Sequence, residues 1–97
     1  MMILITYDVN TIENDGNKRL RKVSKVCLDY GQRVQNSVFE CNVDPAQFVK
    51  IKHELSKIID FKKDSLRFYK LGKNWENRIE TIGKNETYNP EKEIFIL

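Results

Sequence analysis

Met2-Ile3-Leu4-Ile5-Thr6-Tyr7-Asp8-Val9 is an almost wholly apolar run that breaks at one carboxylate and then gives way to a polar, turn-rich stretch. Ile3, Ile5 and Tyr7 alternate with Met2, Leu4 and Thr6, so neither face of a strand here reads as solvated. That pattern belongs to a central strand covered on both sides. It also delivers Asp8 to the rim on a rigid element, where a metal ligand or general base is best placed. The plain alternative is an Asx-type residue that starts the following turn, and the strand alone favours it.

Working outward, Asn14-Asp15-Gly16-Asn17 reads as a turn, with Asn17 as N-cap of a helix running to about Tyr30 and Gly31 as its C′ stop. Leu20, Val23, Cys27 and Tyr30 share one helical face, and Lys18, Lys22 and Lys25 lie opposite. Gln32 to Asn42 then predicts two short strands with Asn36-Ser37 between them. Asp44 at the N-cap and Pro45 at N1 open a second helix whose apolar stripe is Phe48, Ile51, Leu55 and Ile58. His53 falls off that stripe and reads as an exposed helix residue. After Lys63-Asp64 a last strand, Leu66 to Leu71, ends at Gly72.

The order strand, helix, strand, strand, helix, strand is the ferredoxin-like α+β plan, a βαββαβ two-layer sandwich. Helices can cover only one face of that sheet, yet the first strand is apolar on both. A second copy of the chain is the economical cover, so a homodimer through the sheet face is expected. Residues 1–82 form the expected domain. Residues 83–97 form a tail ending in Glu93-Ile94-Phe95-Ile96-Leu97, read as an extra C-terminal strand that docks on a partner or packs within the dimer.

Composition narrows the function classes. With 97 residues, 40% hydrophobic and 32% charged, the chain suits one folded domain, and it has no apolar run long enough for a membrane span. Met1-Met2 enters the strand with no basic segment or cleavage site, so no signal peptide is expected. Cys27, Cys41 and the lone His53 make neither a disulfide framework nor a zinc set, and two reduced thiols fit a cytoplasmic protein. Between residues 62 and 78, six basic residues stand against Asp64 and Glu76, which suggests polyanion contact or simply a solvated face.

One carboxylate cannot build a metal site alone. In a twofold dimer Asp8 and its symmetry mate could share magnesium, or manganese, which completes its shell with water and phosphate oxygens. Lys18, Arg19 and Arg21, with Arg33 and Arg67, are the candidate contacts to a nucleic-acid backbone.

Tyr7-Asp8-Val9, the block Gly31-Gln32-Arg33-Val34-Gln35-Asn36-Ser37-Val38-Phe39-Glu40, and Asp64-Ser65-Leu66-Arg67-Phe68-Tyr69 together resemble the second CRISPR-associated (Cas) protein family, the small partner of the CRISPR integrase. The likeness covers about residues 2–82. It implies a ferredoxin-like homodimer, a magnesium-dependent nuclease acting on RNA or DNA in many members, and a role in acquiring new spacers beside integrase dimers. Asp8 matches the family's metal-binding aspartate, while Arg33 and Phe39, with Tyr7, fall at the implied dimer and substrate surface. Some members carry a second acid where this chain has Thr11. Taken as residues, Phe39 and Tyr7 also fit plain core packing. The competing function is a non-catalytic dimeric adaptor that bridges integrase dimers and tracks DNA. A sheet-face RNA-binding module ranks lower, because its glycine-aromatic signature is missing.

Overall fold

The computed structural model describes residues 1–10 and 14–83. Thr11 and the tail Glu93 to Leu97, with its docking and extra-strand readings, lie outside them.

The chain runs β1 (Met2–Asp8), α1 (Asn14–Leu28), β2 (Gly31–Gln35), β3 (Val38–Asn42), α2 (Pro45–Ile58) and β4 (Ser65–Lys70). The strands lie in the order β2-β3-β1-β4, and every pairing is antiparallel. This is the expected ferredoxin-like arrangement, with β1 inside the sheet and both helices on one face.

Directly paired residues of antiparallel strands point to the same face. Ile5 pairs with Phe39 on one side and Phe68 on the other, and Ile3 pairs with Cys41. These side chains, with Tyr7, form the helix-covered face. There they meet Val23 and Cys27 from α1 and Ile51 and Leu55 from α2, all fully buried. The opposite face carries Leu4 and Thr6, flanked by Glu40 and Val38 of β3 and by Tyr69 and Arg67 of β4. Leu4 and Thr6 are half-buried and Tyr69 is exposed, so the second face of β1 is apolar at its centre and carries no helix.

The start of α2 follows its local signal closely. Asp44 accepts from the Gln47 N–H at 2.7 Å, and the Gln47 side chain accepts from the Asp44 N–H at 2.9 Å, a reciprocal capping box ahead of Pro45. Phe48, Ile51 and Leu55 are buried and His53 is exposed, as the stripe predicts.

Two expectations for α1 need correction. The helix begins at Asn14 rather than after Asn17, taking Gly16 inside its first turn, where that residue is buried. Gly31 is not a helix stop but the first residue of β2, paired with Cys41. A β-carbon there would collide with the Glu40 carbonyl, so only glycine allows this approach of the two strands. The β2–β3 pairing then slips by one residue between Arg33 and Gln35, a bulge that turns the hairpin. β4 ends at Lys70, one residue short of the expected Leu71, and Gly72 follows at φ +82°. Beyond β4 the chain makes a short 3-10 turn, Trp75–Arg78, that the sequence reading did not include.

Candidate functional site

Asp8 is the last residue of β1, paired with Ser65 at the start of β4. Alternation turns it to the helix-free face, where it is exposed. It lines an open groove of about 420 Å³ with Thr6, Ser37, Ser65, Arg67 and Tyr69. The wall is rich in hydroxyls because three strand ends meet here: the Tyr7 N–H donates to the Ser37 carbonyl at 2.9 Å, drawing the β2–β3 turn against β1.

Among the described residues, Arg67 is the one cation of that wall. Its Nη1 donates to the Tyr69 hydroxyl at 3.4 Å, and the guanidinium pKa is raised by that contact first, with the Asp8 charge contributing as well. An exposed carboxylate and an exposed guanidinium therefore share one groove. Such a pair suits a phosphodiester, whose oxygens Arg67 can hold while Asp8 handles a cation or a water proton. Among the described residues no three His, Cys, Asp or Glu side chains cluster to hold a metal. The described residues thus supply a single groove carboxylate plus hydroxyls, a donor set that fits a hard, largely hydrated divalent ion only when a second acid or a phosphate joins it.

Behind this groove, on the helix side of the sheet, lies a site that sequence reasoning missed. The Asp64 carboxylate is fully buried, and five hydrogen bonds from described residues converge on it. The Tyr7 hydroxyl donates to Oδ2 at 2.6 Å, and Arg19 donates through Nε to Oδ2 at 2.7 Å and through Nη2 to Oδ1 at 3.1 Å. The backbone N–H groups of Asp60 and Asn10 add bonds at 3.0 and 3.3 Å. Burial alone would oppose ionisation of Asp64, but the bonds from Arg19, Tyr7 and the two backbone amides outweigh it and hold the carboxyl well below the usual range. Burial, and then the bond to Asp64, raises the Tyr7 phenol above its ordinary value, while Asp64 raises that of Arg19. The one signal in the sequence was Tyr7 itself, a phenol on the same strand face as Ile3 and Ile5, which needs an acceptor once buried.

The remaining candidates divide. Tyr7 and Phe39 do not lie at a surface: they are 2% and 0% exposed in the helix-side core, as the packing alternative had it, because each falls in alternation with Ile3, Ile5 and Cys41. Arg19 lies against Asp64 rather than on an open surface. Arg33 also turns to the helix side, donating to the Ser24 hydroxyl and standing 5.4 Å over the Phe39 ring. Lys18 and Arg21 are exposed on the outer face of α1, in line with Lys22 and Lys25. The basic run from 62 to 78 is not one patch, since strand alternation sends Arg67 into the groove and Lys70 over the Phe48 ring on the helix side, 5.3 Å from its centroid. Both cysteines are buried free thiols, with Cys41 Sγ 3.5 Å from the Cys27 carbonyl. The neighbouring Cys41 and burial push the Cys27 thiol up, which makes it inert. No helix of the described residues is long and apolar enough to cross a membrane.

Comparison with known proteins accounts for this geometry. The family model described as "CRISPR associated protein Cas2" matches residues 1–79. A Nitratidesulfovibrio vulgaris protein named CRISPR-associated endoribonuclease Cas2 is 52% identical over 99% of this chain and 94% of its own. A Halalkalibacterium halodurans protein named CRISPR-associated endonuclease Cas2 is 55% identical over 94% of this chain and 95% of its own. The crystal structure of Streptococcus pyogenes Cas2 at pH 6.5 superposes with a TM-score of 0.81 at 69% identity, covering 86% of this chain and all of that one. The β1 strand with its terminal aspartate, the bulged hairpin and the Asp64–Tyr69 segment all fall within the matched length, and the chain belongs to the Cas2 family of CRISPR-associated proteins.

Proposed function

We propose that this chain is a metal-dependent nuclease of the CRISPR adaptation machinery, working as a homodimer that brings two Asp8 carboxylates together across the helix-free sheet face. The observation that carries this reading is the exposed Asp8 at the end of the central strand, in a hydroxyl-lined groove beside Arg67. The names of the relatives, endoribonuclease and endonuclease, support the reaction class. The half-buried Leu4 and Thr6 and the exposed Tyr69 on the same face support pairing with a second copy.

In this reading the two Asp8 residues would hold magnesium or manganese, which when bound would polarise a phosphodiester and lower the pKa of its water. Arg67 orients the phosphate through its non-bridging oxygens and offsets charge that grows as water attacks phosphorus. The hydroxyls of Thr6, Ser37 and Ser65 are positioned to bond ordered water around the carboxylates.

The test is cleavage of labelled RNA and duplex DNA by purified protein, with and without magnesium, beside an Asp8→Asn variant that keeps shape and removes charge. Magnesium-dependent cleavage that the variant lacks is the expected result. Cleavage by Asp8→Asn at wild-type rate moves the site elsewhere. Light scattering should give about twice the 11.5 kDa chain mass, and a folded monomer at micromolar concentration defeats the shared site.

A second reading has its own observation. Lys18, Arg21, Lys22 and Lys25 make an exposed cationic stripe on α1, on the opposite side of the molecule from Asp8. A stripe on the helix-covered side of the sheet serves an adaptor that tracks DNA and bridges integrase dimers without cutting. Persistent DNA binding and integrase bridging by Asp8→Asn would favour it.

A further inference from the structure

The helix-facing side of β1 needs only bulk: Ile3 and Ile5 supply it with aliphatic carbon, and a phenylalanine ring at position 7 would do the same. Tyr7 adds one oxygen, and that oxygen contacts a buried carboxylate rather than solvent. It does so one residue before Asp8. Strand ends fray, and Asp8 is the last residue of β1 before the chain leaves the sheet. Asp64 draws four segments to this point: β1 through Tyr7, the residues just after it through the Asn10 N–H, α1 through Arg19, and the α2–β4 connection through the Asp60 N–H. Asp64 also immediately precedes Ser65, the β4 partner of Asp8.

We propose that Tyr7, Asp64 and Arg19 form a latch that positions Asp8, the hydroxyl of Tyr7 pinning the end of β1 from one side of the sheet so that the carboxylate on the other side keeps its register with Ser65 and Arg67. This rests on the reading of Asp8 as the reactive carboxylate. Tyr7 and Asp64 touch no reacting atom; they act through the strand. A misplacement of about 1 Å at a reacting group can cost about 100-fold in rate, so a latch of this kind has a function beyond stability.

Tyr7→Phe removes only the hydroxyl and keeps the ring that fills the core. The control is Ile51→Val, which takes one methylene from a fully buried α2 residue outside the groove lining and lowers stability by a similar amount. Two readouts are taken on both: the kcat and KM of nucleic-acid cleavage, and amide hydrogen exchange along β1. The latch predicts that Tyr7→Phe lowers kcat by about fivefold or more at unchanged KM, the scale of one lost hydrogen bond, while Ile51→Val does not. It also predicts faster exchange at the Tyr7 and Asn10 amides, with no change at the Val43 amide, which bonds the Met1 carbonyl at the other end of β1. Equal kcat for the two variants, or exchange that quickens uniformly along the strand, overturns the latch. Asp8→Asn is run alongside: wild-type cleavage by that variant removes the role of Asp8, and the exchange pattern still decides whether the strand end is pinned.

Discussion

Asp8 and Asp64 lie on opposite sides of one sheet, within a residue of being paired, and they live under opposite conditions. Asp8 is exposed in an open groove with one guanidinium nearby, whereas Asp64 is fully enclosed by five donors. A saturated carboxylate has no lone pair left for a ligand and can only hold structure. An exposed one contributes little to stability and is available for chemistry. The same side chain is thus a staple on one face and a reagent on the other, and exposure with hydrogen-bond saturation tells them apart.

Substitution can break this contrast. Asp8→Asn should lower cleavage on the order of 1,000-fold, the scale of losing a general base or ligand, and leave the melting temperature nearly unchanged. A large fall in melting temperature would mean that Asp8 is structural too. Asp64→Asn should do the reverse, costing about 3 kcal/mol because it strands buried donors, and lowering the melting point by roughly 15 °C for a chain of this size.

The pH dependence sharpens the same comparison. Because the folded Asp64 carboxyl is held below its unfolded value of about 3.9, its stabilisation is complete above that value and is lost as pH falls below it. Wild type should therefore lose stability below about pH 4 more steeply than Asp64→Asn in acid unfolding curves. Tyr7 gives the alkaline counterpart: its raised phenol stabilises the fold fully below its unfolded value of about 10, and that contribution fades as pH climbs above it. Tyr7→Phe should flatten that limb. An effect of either group between pH 5 and 8 would contradict the arrangement.

The smallest expected effect concerns the exposed charge on the outer face of α1. Replacing Lys18, Arg21, Lys22 and Lys25 together by Ala should reduce the salt dependence of duplex-DNA binding by a slope of roughly 3, with stability and the groove intact. No change in slope would assign phosphate contact to Arg67 and its surroundings instead.

How far the sequence revealed all this depends on the distance a signal travels. The cap of α2 was legible to the residue, because Asp44 and Gln47 satisfy one another three positions apart. The alternation of β1 was legible too, since Ile3, Ile5 and Tyr7 need no partner to declare a face. The start of α1 was misjudged because Asn17 looked like a cap and Gly16 like a turn, whereas Gly16 is buried within the first turn and packing there overrides the low helix propensity of glycine. The Asp64 latch was hidden because its donors Tyr7 and Arg19 are 57 and 45 residues away. Two of them had a sufficient local explanation, Tyr7 as packing and Arg19 as a phosphate contact. The bond from Arg33 was hidden for the same reason, since nothing local shows that β2 turns it towards Ser24.

Gly31 carries a consequence of a different kind. The carbonyl of Glu40 stands where any other residue would begin its side chain, so the hairpin has no conservative substitution at this point. Every missense change of that codon adds at least a methyl group, and even alanine must push β2 off β3 or force a new register through the bulge. A variation that reaches this site cannot be tuned by degrees; it is absorbed only by a compensating change in hairpin length, and the outer edge of the sheet therefore drifts by whole residues or not at all.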